Sequence, residues 1–73
     1  MKSLNKKYNF TNFEDAISFI NRISEIFIRE NHHPKIINFY NIVELEFFTV
    51  SKNNNVTEID YKIANEVENI FNH

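Results

Sequence analysis

The hydrophobic positions of this chain follow a helical period in two segments. Apolar residues recur at helical spacing between Asn12 and Asn31 and again after Thr57, which predicts two amphipathic helices. The predicted buried stripes are Phe13, Ala16, Ile17, Ile20, Ile23 and Phe27 in the first helix, and Ile63, Ala64, Val67, Ile70 and Phe71 in the second.

Each predicted helix follows a residue that commonly caps a helix N-terminus. Thr11, with Glu14 three residues later, fits a capping box for the first helix. Thr57 and Asp60 have the same spacing at the start of the second.

The segment between the helices has the composition and alternation of β-strands. β-Branched and aromatic residues dominate from Ile36 to Val50, and a turn near Tyr40-Asn41 would make them a hairpin. One face of the second strand is apolar and the other acidic, as in a half-buried antiparallel strand. The apolar face carries Val43, Leu45 and Phe47, the acidic face carries Glu44 and Glu46, and Phe48 and Val50 continue on the acidic face. Apolar residues there suggest cover by a partner chain or a ligand.

Two shorter segments complete the predicted order. Residues 7–10 form a short first strand, and residues 52–55 form a polar loop in which an asparagine takes any left-handed backbone position. The sequence therefore predicts an α+β fold of order β-α-β-β-α, in which a small antiparallel sheet has two helices packed on one face. We expect one domain spanning residues 1–73.

Composition narrows the functional class. A chain of 73 residues without cysteine has no disulfide or thiolate chemistry, and oligomerisation is a common route to stability at this size. The net charge of −2 argues against a nucleic-acid binder, and Lys2, Lys6 and Lys7 are expected to form a solvated N-terminal tail. No apolar stretch is long enough to span a bilayer, so we expect a soluble cytoplasmic protein without membrane contact.

The candidate chemistry lies at Asn31-His32-His33-Pro34, where the first helix must end. Neighbouring side chains diverge in regular helices and strands, so convergence of two histidines needs an irregular backbone. Pro34 favours one because it disfavours the α conformation at His33. Histidine can give and take protons near neutral pH. A metal site is not expected, because the remaining histidine is His73 and cysteine is absent.

From Phe10 to Phe71 the chain resembles the pterin-4a-carbinolamine dehydratase family. The matching residues are Phe10-Thr11-Asn12-Phe13, Ala16, Phe19, Asn31-His32-His33-Pro34, Asn38, Tyr40-Asn41, Val43, Leu45, Thr49, Thr57-Glu58-Ile59-Asp60 and Ala64. The resemblance implies an α+β fold assembled as a homodimer or homotetramer. It also implies elimination of water from a 4a-hydroxytetrahydropterin to give a quinonoid dihydropterin, in tetrahydrobiopterin recycling, without metal or cofactor.

The resemblance also implies roles for individual residues. His32 and His33 match the active-site histidine pair, and Asp60 matches the motif acid at the border of the pocket. Pro34 and Thr49 fall at the same pocket, and Glu30 is near the position of a family acid that is Ile28 here. Substrate binding is therefore expected of four residues: Asp60, Pro34, Thr49 and Glu30. The chain departs from the family at Val50, where a third active-site histidine is usual. Further departures are Ile36 for an aromatic residue and Ile59 for an arginine.

Structural roles compete with these assignments. The histidine pair could cap the C-terminus of the first helix, where the helix dipole favours imidazolium. Asp60 could serve the capping box alone, Glu30 could be an exposed helix-end residue, and Glu44 and Glu46 a solvated strand face. Three functions follow: a dehydratase, a protein-interaction module, and a pterin-binding protein without turnover. Val50 is the main argument against the first.

Overall fold

A computed structural model describes residues 3–73, which form three strands and two long helices. The elements are β1 (Leu4–Asn9), α1 (Phe13–Glu30), β2 (Lys35–Phe39), β3 (Ile42–Phe47) and α2 (Glu58–Phe71), with a single 3₁₀ turn at Val50–Lys52. The predicted α+β order is confirmed. The first strand begins earlier than predicted, so Lys6 and Lys7 lie in β1 and not in a solvated tail; Lys2 lies outside the described residues.

The sheet has β3 at its centre, antiparallel to β1 on one side and to β2 on the other. Leu45 pairs with Lys6 and with Ile36, which fixes the register of all three strands. Side chains alternate between the faces of a strand, so the buried Val43, Leu45 and Phe47 of β3 share one face. Both helices contribute buried residues to the same core, and Glu44 on the opposite face is exposed.

The core confirms most of the predicted stripe positions. Its buried members are Tyr8, Ala16, Phe19, Ile23, Ile26, Phe27, Val43, Leu45, Phe47, Ile63, Ala64 and Val67. Two predicted stripe residues are more exposed than expected, Phe13 at 46% and Phe71 at 38%. Tyr8 reaches between the layers, and its hydroxyl donates to Glu68 Oε1 at 2.7 Å. Burial raises the pKa of Tyr8, and the hydrogen bond to Glu68 raises it further.

The cap of α1 differs from the prediction by one residue. Asn12, not Thr11, is the N-cap: its backbone is extended, and its side-chain oxygen accepts the Asp15 N–H at 2.8 Å. The predicted Thr11–Glu14 capping box is therefore wrong. Asparagine is at least as good a cap as threonine, and here it is also one residue closer to the helix.

The end of β3 also differs from the prediction. The strand stops at Phe47, and Thr49 forms an isolated antiparallel bridge with Asn55. Val50 therefore lies in the 3₁₀ turn, 74% exposed, and the predicted continuation of the strand to Val50 is wrong. The left-handed asparagines expected in this loop are Asn53 and Asn54, with φ of 58° and 61°. Neither helix within residues 3–73 combines the length and the apolar character needed to cross a bilayer.

The assignment of the α1 cap can be tested by alanine substitution. We expect Asn12→Ala to lower the free energy of unfolding by about 1 kcal/mol, because the Asp15 N–H loses its acceptor. Thr11→Ala is the control and should change it by less than about 0.3 kcal/mol, within the scatter of surface substitutions. Urea denaturation measures both. A larger loss for Thr11→Ala than for Asn12→Ala would contradict the assignment.

Candidate active site

The first part of the site is built by the way α1 ends. Asn31 adopts a left-handed conformation with φ of 50°, and its N–H donates to Ile28 O at 3.2 Å. The His32 N–H donates to Phe27 O at 3.1 Å, so the backbone completes a Schellman-type end. Backbone N–H groups thus satisfy the Phe27 and Ile28 carbonyls, without either histidine ring. The chain then turns at the buried Pro34.

The second part of the site is a carboxylate at the start of α2. Asp60 is the third residue of the helix, and its side chain accepts the Thr57 N–H at 2.9 Å, as the predicted capping box requires. The same carboxylate has two further partners. The Thr49 hydroxyl donates to Oδ2 at 2.7 Å, and His32 Nε2 lies 2.6 Å from Oδ1.

Asp60 is 0% exposed, so these protein donors replace water around its charge. Burial by itself would raise the pKa of the carboxyl. The hydrogen bonds from His32, Thr57 and Thr49 outweigh that effect and lower the pKa of Asp60 below its ordinary value. An ionised carboxylate can only accept hydrogen bonds, so His32 Nε2 carries a proton and donates a hydrogen bond to Oδ1.

A cleft of about 260 Å³ opens where these two parts meet. Its lining residues are Asn31, His32, His33, Phe48, Thr49, Val50 and Ser51. The His32 side chain is 16% exposed, and His33 is more exposed. A larger hollow of about 350 Å³ lies on the open face of the sheet between Lys7, Lys35 and Glu46, but no histidine lines it. We therefore take the smaller cleft as the candidate active site on the basis of its chemistry.

The structure brings some of the predicted site residues together and leaves others apart. His32, His33 and Thr49 line the cleft, and Asp60 lies directly behind His32. Pro34 is buried and does not line the cleft.

Glu30 is directed away from the cleft. Its carboxylate pairs with Arg29 at 3.1 Å and with Lys62 at 3.4 Å, on the surface between the two helices. The hydrogen bond from Arg29 is the main cause that lowers the pKa of Glu30. Glu30 is therefore one acid of an ion-pair group on the helix surface, and its side chain is 20% exposed.

Sequence reasoning missed the hydroxyl network around Asp60. Thr49 Oγ1 and Thr57 Oγ1 lie 2.7 Å apart, and both hydroxyls face the carboxylate. The capping box indicated that the Thr57 backbone would meet Asp60. Nothing in the local pattern links Thr49 to Asp60, since that contact depends on how the end of β3 approaches α2.

No group of three or more histidine, cysteine, aspartate or glutamate side chains placed to hold a metal ion occurs within residues 3–73. His32 and Asp60 are occupied with each other, and His33 contributes one further imidazole to the cleft.

The lowered pKa of Asp60 predicts a pH-dependent contribution to stability. Asp60→Asn should lower the free energy of unfolding by about 2 kcal/mol at pH 7, because it removes hydrogen bonds to a buried charge. In the unfolded chain the carboxyl has a pKa of about 3.9. The contribution is therefore complete above that value and is lost as the pH falls through the lower folded-state pKa. Urea denaturation of wild type and Asp60→Asn from pH 7 to pH 3 measures the difference in their free energies of unfolding. That difference should become smaller in acid, and a difference that stays constant with pH would contradict the prediction.

Comparison with known proteins gives a consistent family. Residues 1–70 match the sequence profile of the family described as Pterin 4 alpha carbinolamine dehydratase. A protein of Prochlorococcus marinus subsp. pastoris is 35% identical over 68 residues, which are 93% of this chain and 70% of the relative. A protein of Sulfolobus acidocaldarius is 36% identical over 67 residues, covering 92% and 72%. One of Rubrobacter xylanophilus is 34% identical over 67 residues, covering 92% of this chain and 62% of the relative. All three are provisionally assigned as pterin-4-alpha-carbinolamine dehydratases.

A solved structure has the same fold. The crystal structure of a transcriptional coactivator/pterin dehydratase from Brucella melitensis superposes with a TM-score of 0.90 at 30% sequence identity, covering 96% of this chain and 73% of that one. The profile match spans almost the whole chain, and the relatives agree with it in sequence and in structure. The chain belongs to the pterin-4-alpha-carbinolamine dehydratase family.

Proposed function

We propose that this chain eliminates water from a 4a-hydroxytetrahydropterin to give a quinonoid dihydropterin, a step that serves tetrahydrobiopterin recycling. The observation that carries the proposal is the pairing of His32 with the buried Asp60 at the wall of a cleft that His33 also lines. A carboxylate–histidine pair of this kind fixes the ring tautomer and stabilises the imidazolium that forms during proton transfer.

The pairing leaves one nitrogen of His32 for chemistry. Nε2–H donates to Asp60, and in the part of the chain that the structure describes Nδ1 has no hydrogen-bond partner. In neutral His32, Nδ1 therefore carries the lone pair. The Asp60 carboxylate faces the Nε2–H of His32, where it can stabilise the positive charge that the ring gains on accepting a proton at Nδ1.

The proposed reaction uses one proton transfer at each end of the bond being formed. His32 Nδ1 takes the proton from N5 of the pterin, and the N5 electron pair forms the double bond to C4a. The bond between C4a and the hydroxyl oxygen breaks, and His33 in its protonated form gives that oxygen a proton, so water leaves. Each such acid or base typically contributes about 10²–10⁴-fold to the rate.

Val50 supports a slower enzyme and a second candidate function. It is exposed at the rim of the cleft and cannot carry a proton, whereas the family resemblance leads us to expect histidine there. A chain that keeps the cleft but lacks this group could bind a pterin without turnover or act as a protein-interaction module. The name of the Brucella relative, a transcriptional coactivator/pterin dehydratase, supports the protein-interaction module as an alternative.

We also propose that the protein works as a homodimer or homotetramer. β2 is an edge strand, and its Ile36, Ile37 and Phe39 are 40%, 43% and 74% exposed. Apolar side chains on an unpaired edge favour association with another chain. The cytoplasmic location stays a prediction.

Removal of the His32 imidazole tests the proposed function. Wild-type protein should accelerate dehydration of an enzymatically generated 4a-hydroxytetrahydropterin above the spontaneous rate. The absorbance of the quinonoid product measures the reaction. His32→Ala should lose about 10²-fold or more of that acceleration, because it removes the base. His73→Ala is the matched control, since His73 is outside the cleft, and it should retain the wild-type rate. Full activity of His32→Ala would refute the proposed role.

Substitution of histidine for Val50 tests whether the chain is a pterin-binding protein without turnover. We expect Val50→His to raise the dehydration rate about tenfold or more, at the low end of the effect of a general acid or base. The same assay applies, and Val50→Leu controls for a change of side-chain size. A pterin that binds wild type without any rate enhancement, together with a gain in Val50→His, would favour the binding protein without turnover.

A further inference from the structure

We infer that Thr49 is a positioning residue, whose hydroxyl holds the Asp60 carboxylate in the orientation that presents Oδ1 to His32. The inference rests on the proposed function, because the orientation of the His32 ring matters for proton transfer only if the cleft carries out the dehydration. It also replaces the expectation from the sequence that Thr49 binds substrate.

The hydrogen bonds around Asp60 have one consistent direction. Thr49 has a single hydroxyl proton, and the ionised carboxylate 2.7 Å away can only accept it. Thr57 Oγ1 lies 2.7 Å from Thr49 Oγ1 but 3.4 Å from Asp60 Oδ2. The Thr57 hydroxyl is therefore better placed to donate its hydrogen bond to Thr49 Oγ1 than to Asp60. The chain of donors therefore runs from Thr57 to Thr49 to Asp60. The hydroxyl proton of Thr49 is committed to Asp60 and is not available to a substrate.

The same contacts fix the plane of the carboxylate. Oδ2 is held from two sides, by the Thr49 hydroxyl at 2.7 Å and by the Thr57 N–H at 2.9 Å. With Oδ2 fixed, Oδ1 faces His32 Nε2 at 2.6 Å. Because Asp60 is 0% exposed, water cannot replace a donor that is lost. Loss of the Thr49 hydroxyl would leave the Thr57 N–H as the main restraint on Oδ2.

Thr49 also ties Asp60 to the wall of the cleft. Its N–H donates to Asn55 O at 2.9 Å, and its carbonyl accepts the N–H groups of Lys52 and Asn54, both at 3.0 Å. These bonds close the loop that carries Val50 and Ser51, two lining residues of the cleft. One residue thus fixes both the cleft wall and the carboxylate behind His32.

The test uses Thr49→Val, which keeps the shape of the side chain and removes the hydroxyl, and Thr49→Ser, which restores it. Thr11→Val is the matched control, since Thr11 is exposed and lies outside the cleft. In protein without substrate, ¹³C NMR follows the pKa of the Asp60 carboxyl, and ring ¹⁵N shifts report the tautomer of His32. His32 is the titratable side chain in contact with Asp60 among the described residues. Steady-state kinetics then give kcat and KM separately.

A positioning role predicts changes in both measurements. In Thr49→Val the pKa of Asp60 should rise, because one of the bonds that lowers it is gone, and the Nε2–H tautomer of His32 should become less populated. The kcat should fall about tenfold with KM nearly unchanged, the size expected for one hydrogen bond to a charged group. Thr49→Ser should recover the wild-type values.

Two results would overturn the inference. A raised KM with unchanged NMR behaviour would mean that Thr49 binds substrate directly, and an unchanged Asp60 pKa would mean that its hydroxyl does not act on the carboxylate. Because the NMR measurements need no turnover, they still decide the role of Thr49 if wild type fails as a dehydratase. If Thr49→Val does not fold, Thr49→Ala provides the same comparison with a smaller side chain.

Discussion

A carboxylate removed from water is stable only where protein donors replace its hydration, and Asp60 imposes that requirement on this fold. Its donors come from separate parts of the chain: His32 after α1, Thr49 after β3, and Thr57 before α2. These segments must meet for the charge to be buried. Folding and assembly of the site are therefore one event, since a change that separates any of the three leaves a buried acceptor unsatisfied.

In the proposed mechanism the same residue serves structure and chemistry. As the third residue of α2, Asp60 completes a capping box and begins the helix, and as the partner of His32 it fixes the protonated ring nitrogen. The two roles use different oxygens, Oδ2 toward the cap and Oδ1 toward the histidine. The capping role of Asp60 and its proposed role as the partner of His32 are therefore compatible, and the geometry explains how one carboxylate can satisfy both.

The sequence predicted those parts of the molecule that depend on local pattern. Helical periodicity located both helices, alternation located β3, and the spacing of Thr57 and Asp60 located the α2 cap. The α1 cap was misplaced by one residue, because Thr11 and Asn12 are both good caps and their competition is settled by backbone geometry. The end of β3 was misplaced because the bridge of Thr49 to Asn55 breaks an alternation that the residue types alone would continue.

The candidate site could be predicted only as far as the family resemblance reached. His32, His33 and Asp60 were identified by it, but the resemblance did not show that Glu30 pairs with Arg29 and Lys62. Nor could it show that the Thr49 hydroxyl faces Asp60, because that contact joins residues from two elements that meet only in the tertiary fold.

In the proposed function the cleft beside His32 is the pterin site, and ligand mapping tests that claim most directly. A stable pterin that lacks the 4a-hydroxyl would be titrated into ¹⁵N-labelled protein while the backbone amide shifts are followed. We expect saturable shifts that concentrate at His33, Val50 and Ser51, around the cleft. Shifts confined to Lys7, Ile37 and Glu46 on the open face of the sheet, or no shifts at all, would contradict it.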